Sequence, residues 1–114
     1  MNLQIFGTKK SNETKKAERF FKERGIRYQF IDLAEKGMSR GELEAVSRAI
    51  PVTELIDTGG KEFERQQLKY MKFNTAEKLL ESPLLFKTPV VRDGKRATVG
   101  YAPDVWERWI REQR

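Results

Sequence analysis

"NLQIFGTKKSNETKKAERFFKERGIRYQFID", from Asn2 to Asp32, decides the fold. Leu3 and Ile5 alternate with Asn2 and Gln4, the period of a strand with one buried face. Gly7 to Lys10 then leave the strand as a loop. Ser11 or Asn12 offers an N-cap oxygen, and Glu13 suits the positive end of a helix. Ala17, Phe20 and Phe21 share one helical face, Lys22 and Arg24 fall in the last turn, and Gly25 ends the helix. "IRYQFID" follows as a second strand. Strand, helix and strand in quick succession make a βαβ unit, so the two strands are expected to be parallel.

Outward from this unit the chain turns helical. Ser39 and Glu42 have capping-box spacing, with Leu43, Val46 and Ile50 as the buried stripe. Pro51 stops that helix or starts a short one through Val52–Ile56. "DTGGKEF" (57–63) reads as a loop punctuated by Gly59 and Gly60. Asn74 and Glu77 repeat the cap-and-N3 pattern, Leu79 and Leu80 face inward, and Pro83 bars continuation. "TPVVRDGKRATVGY" (88–101) reads as a hairpin with a type I′ turn at Asp93-Gly94. Pro103 opens a last helix whose Val105, Trp106, Trp109 and Ile110 dock on the sheet. The expected fold is α/β, a four-stranded mixed sheet ordered β-α-β, helical middle, β-β-α, with helices on both faces, in one domain spanning 1–114.

Composition narrows the chemistry. The 114 residues include no cysteine and no histidine. That removes disulfides, thiol catalysis, thiolate or imidazole metal ligands and histidine acid–base work. No Asp-x-Asp-x-Asp-Gly loop offers an oxygen-only metal site, and no metal is expected. The formal net charge is +6, but the basic residues are dispersed and accompany no base-reading motif, so direct nucleic-acid binding ranks last among the functions. No apolar run reaches the roughly 20 residues of a membrane span. "MNLQIFG" lacks the features of a secretory signal, so a cytoplasmic protein is expected.

The parts so assembled resemble the bacterial-type arsenate reductase family, which includes Spx-type regulators and glutaredoxin-related reductases. The resemblance runs in order along nearly the whole chain, through "FGTKKSNETKKA", "FFKERGIRYQFIDL", "SRGELE", "ELIDTGGKEFERQQL" and "SPLLFKTPVVRDGKRATVGY". It implies a thioredoxin-like fold and glutathione- or thiol-dependent oxidoreductase chemistry at a cysteine after the first strand. Here Ser11 stands at that cysteine, Thr14 lies in the following polar stretch and Lys15 at its basic end. The family's oxyanion-holding arginines are replaced near Gly59, at Thr88 and near Tyr101. The resemblance also implies a cis peptide at Thr88–Pro89, with Thr88 turned toward the Ser11 loop, where an extended peptide or glutathione would pair with its backbone.

Ser11 is a poor replacement for a thiol. Its hydroxyl is far too basic to ionise in the field of a helix N-terminus, and a nucleophilic serine needs an adjacent base. Lys9, Lys10, Lys15 or Lys16 would serve only if neutral, which needs a pKa lowered by several units. An alcohol also forms no disulfide intermediate. The expected site is therefore an anion or ligand pocket of Lys10, Ser11, Asn12, Thr14, Lys15, Thr88 and Pro89 at the first helix N-terminus. The expected function is a binding or regulatory module without a cofactor. Its partner is a protein, with RNA polymerase the candidate the Spx resemblance implies, or a small anion or glutathione. The alternative is a glutaredoxin-like thiol oxidoreductase whose nucleophile has been substituted by Ser11, naturally or by design, and which would use glutathione once the thiol is restored.

Overall fold

The first strand, β1 (Leu3–Gly7), has a neighbour on each side. It runs parallel to β2 (Tyr28–Asp32), with Leu3 opposite Tyr28 and Gly7 opposite Asp32. On its other side it runs antiparallel to β3 (Val90–Asp93), which pairs with β4 (Arg96–Val99). The sheet order is β2-β1-β3-β4. The computed structural model that shows this arrangement describes residues 1–113. The mixed four-stranded sheet and the parallel first pair are as the sequence implies.

Alternation along β1 splits the core in two. Leu3 and Ile5 join Val91, Phe20, Phe21, Trp106, Trp109 and Ile110 on the face covered by α1 (Asn12–Glu23) and α6 (Pro103–Glu112). Phe6 points to the opposite face. There Ile31 and Val90 pack with Leu43 and Val46 of α2 (Arg40–Ala49), Leu55 of α3 (Val52–Leu55) and Leu79 of α5 (Thr75–Glu81). Trp106 is fully buried, lies edge-on to Phe20 and donates its indole N–H to the Thr98 hydroxyl at 2.8 Å. Docking of the tryptophans on the sheet therefore satisfies the polar atom of the more deeply buried one.

Local signals hold where capping chemistry is explicit. Ser11 is the N-cap of α1, its Oγ accepting from the Thr14 N–H. At the other end the Ile26 N–H bonds the Phe21 carbonyl and the Gly25 N–H that of Lys22, with Gly25 at φ +67°. This double closure needs the left-handed residue that glycine provides. Ser39 and Glu42 form the complete capping box of α2.

Two readings need correction. The segment after Gly60 is not loop: Lys61–Arg65 form α4, and a 3-10 turn follows at Leu68–Tyr70. The helix is too short for an apolar stripe and has no side-chain cap, so the pattern carried no sign of it. The hairpin turn is centred on Gly94-Lys95, since Asp93 still pairs with Arg96. Only Gly94 there has positive φ, +61°, which matches a type II′ turn and not type I′.

Glu42 links this scaffold to pH. Burial pulls its carboxyl up, but hydrogen bonds from the Ser39 N–H, the Gln4 amide and the Ser39 hydroxyl outweigh it and hold the group below its usual range. A depressed folded pKa contributes stability that is present above the unfolded value of about 4.3 and is lost as pH falls through the folded value. Urea midpoints at pH about 6 and about 3 are expected to differ less for Glu42→Gln than for the parent chain. An equal drop in both would show that the box does not carry this linkage.

Candidate functional site

The loop from β1 to α1 is anchored from beneath. Thr14 is fully buried, and its side chain lies so close over Gly7 that a Cβ added there would clash with the Thr14 Oγ1 and Cγ2. Any larger residue at position 7 would push α1 off the strand, so the pair sets the height of the helix N-terminus above the sheet. Thr14 Oγ1 is buried with no hydrogen-bond partner among the described residues. The Thr14 side chain is core, and its N–H is occupied by the Ser11 hydroxyl.

Ser11 is half-buried at the head of α1. The Thr88 hydroxyl donates to its Oγ at 2.9 Å, across 77 residues of sequence. Thr88 precedes Pro89 through a cis peptide bond, as the family resemblance implies. Ser11, Thr88 and Pro89 are thus brought together. The Ser11 Oγ accepts two hydrogen bonds, from the Thr14 N–H and the Thr88 O–H. Among the described residues neither the N–H nor the carbonyl of Thr88 is paired.

The other expected residues stand apart from this corner. Lys10, Asn12 and Lys15 are exposed on the helix N-terminus and line none of the clefts found around Thr88. Some donors that an anion would need are already in use: the Ser11 N–H bonds the Thr8 carbonyl at 3.2 Å, and the Thr14 N–H bonds Ser11.

A cleft of about 410 Å³ opens on one side of Thr88, lined by Glu13, Asp57, Lys87, Val99 and Gly100. A second, of about 360 Å³, is lined by Thr8, Asp57, Gly60, Phe63 and Phe86 among others. Sequence reading missed Glu13, Asp57 and Lys87 as wall residues. In sequence Glu13 reads as a helix-dipole partner, and Asp57 carries no signal until the fold brings it beside Thr88. Two carboxylates against one ammonium make the first cleft acidic. Tyr101 lies edge-on to Trp106, with the Lys16 ammonium 5.8 Å from its ring centre.

Because Thr14 buries an unpaired hydroxyl, Thr14→Val is expected to be neutral or stabilising by up to about 1 kcal/mol in urea unfolding. A loss of more than about 1 kcal/mol would mean that the hydroxyl has a partner.

Residues 6–109 match the pattern of the ArsC family. The chain is 33% identical over 110 residues to "Global transcriptional regulator Spx 2" of Oceanobacillus iheyensis, an alignment covering 91% of this chain and 80% of the regulator. It is 28% identical to the "Uncharacterized protein YusI" of Bacillus subtilis, covering 94% of this chain and 97% of that protein. A solved structure described as a "putative ArsC family related protein from Bacteroides fragilis" superposes with a TM-score of 0.81 at 22% identity, over 95% of this chain and 97% of that one. The fold is the thioredoxin-like α/β arrangement.

Proposed function

The chain belongs to the ArsC family, and we propose that within it this member is a binding or regulatory module without thiol redox chemistry. The reading rests above all on the Ser11–Thr88 hydroxyl pair, which occupies the corner where the family resemblance puts a reactive sulfur. A hydroxyl that accepts two hydrogen bonds is positioned to orient a ligand, but it has no base to activate it. The unpaired backbone of Thr88 suits an extended polypeptide, which would add its own N–H and C=O groups there. The acidic wall from Glu13 and Asp57 favours a peptide over a free anion, because an anion beside two carboxylates is repelled. No cofactor is needed for this role.

The resemblance to Spx-type regulators makes RNA polymerase the first partner to test, in the cytoplasm. Pull-down of purified polymerase subunits by the immobilised full chain is expected to recover a subunit, and Ser11→Arg to reduce that recovery about tenfold. Recovery of none removes the polymerase as partner. Recovery unchanged by Ser11→Arg removes the corner as the contact.

One observation favours the second reading, a glutathione-linked reductase whose nucleophile is substituted. The two donors on the Ser11 Oγ, at a helix N-terminus, are what a thiolate at this position would use. Ser11→Cys is expected to yield a thiol titrating below the free value of about 8.5. If the second reading holds, the same variant gains glutathione-dependent disulfide reduction. A thiol titrating near the free value would discredit it.

A further inference from the structure

The clefts beside Thr88 continue along α4. The second shares Gly60 and Phe63 with a third cleft of about 590 Å³, which also touches Glu64 and Lys69. That third one shares Phe63, Glu64 and Lys69 with a fourth, of about 620 Å³, that ends on Tyr70 and Met71. Each of these is of a size to hold a large apolar side chain. Tyr70 is 87% exposed and Met71 54%, the two highest values among the large apolar residues of the described chain. Phe63 forms the inner wall, edge-on to Phe73 at 6.4 Å. Gln67, at φ +57°, turns the chain out of α4 and into the 3-10 turn that carries Tyr70.

The rim beside this apolar end is basic. Lys69 lies 5.5 Å from the Tyr70 ring centre, and Lys72 follows Met71; both are exposed and without an ion pair among the described residues. Among the described residues Glu64 is the only carboxylate in the wall of the last two clefts.

We propose that this groove is a docking surface for an extended segment of a partner protein, with an apolar anchor seated among Phe63, Tyr70 and Met71 and acidic side chains beside Lys69 and Lys72. Exposed aromatic and methionine side chains next to unpaired ammonium groups match such a segment in both shape and charge. Continuity with the Thr88 clefts lets one extended chain reach both ends. The inference rests on the partner being a polypeptide, as read above, but not on Ser11 contributing to its binding.

The test is selection of peptides from a random display library on the immobilised full chain, followed by titration of the selected sequences. Selected peptides are expected to pair Asp or Glu with Leu, Phe or Met. The double variant Tyr70→Ala/Met71→Ala is expected to lose about tenfold in affinity, with its fold checked by circular dichroism. Lys69→Glu/Lys72→Glu is expected to select basic peptides in place of acidic ones. Binding lost with Ser11→Arg but untouched by the Tyr70 and Met71 changes overturns this groove and leaves the corner standing. The opposite pattern supports the groove and removes the corner. Selection of neutral or basic peptides by the unaltered chain overturns the proposal. So does sedimentation showing a dimer that the Tyr70 and Met71 changes dissociate, because the groove would then be filled by a second copy.

Discussion

Thr14 seated on Gly7 is the contact from which the rest of the site is set. β1 ends on a residue with no side chain, so α1 can start directly above the sheet. The first turn of α1 is pinned to the strand by a fully buried side chain, and its cap, Ser11, is carried into the corner facing Thr88. Thr88 is delivered from the opposite direction, at the entry to β3, which pairs with the same β1. One central strand therefore holds both halves of the corner. The sheet between them is buried on both faces, by α1 and α6 on one and by α2, α3 and α5 on the other.

The electrostatics of this corner differ from those that the family resemblance implies for an oxyanion site. The family resemblance puts arginines where this chain has residues near Gly59, Thr88 and a residue near Tyr101. Glu13 and Asp57 then dominate the cleft wall, with Lys87 as the one ammonium there among the described residues. The net charge of +6 does not carry over to the clefts around Thr88. The four lysines between Lys9 and Lys16 are exposed along the loop and helix head. A basic sequence thus folds to an acidic cleft, because charges that need water stay at the surface while the cleft is lined by residues from the ends of distant elements.

Legibility followed the range of the forces involved. Ser11, Ser39, Gly25 and Pro103 act on backbone groups within a turn of themselves, and each stands where capping chemistry puts it. The parallel pair and the two-faced core followed from alternation in β1 and from helix-period apolar residues. The short helix Lys61–Arg65 was not legible, since it is held from outside by its neighbours. The true turn centre at Gly94-Lys95 depends on strand register, a property of two segments together. The corner was legible through Ser11, Thr88 and Pro89, which the family resemblance placed. Its walls were not, because Glu13, Asp57 and Lys87 meet only once β1 and β3 are paired. The burial of Thr14 carries no sequence signal, because a polar residue in a polar stretch is turned inward only by the helix above Gly7.

The account depends on an oxygen doing what a sulfur would otherwise do differently: holding a group without exchanging electrons with it. Steady-state assay of the purified, unaltered chain with glutathione, on arsenate and on a glutathione mixed disulfide, tests this most directly. The account predicts rates equal to the protein-free background for both. Turnover above that background by the chain as it stands would contradict it.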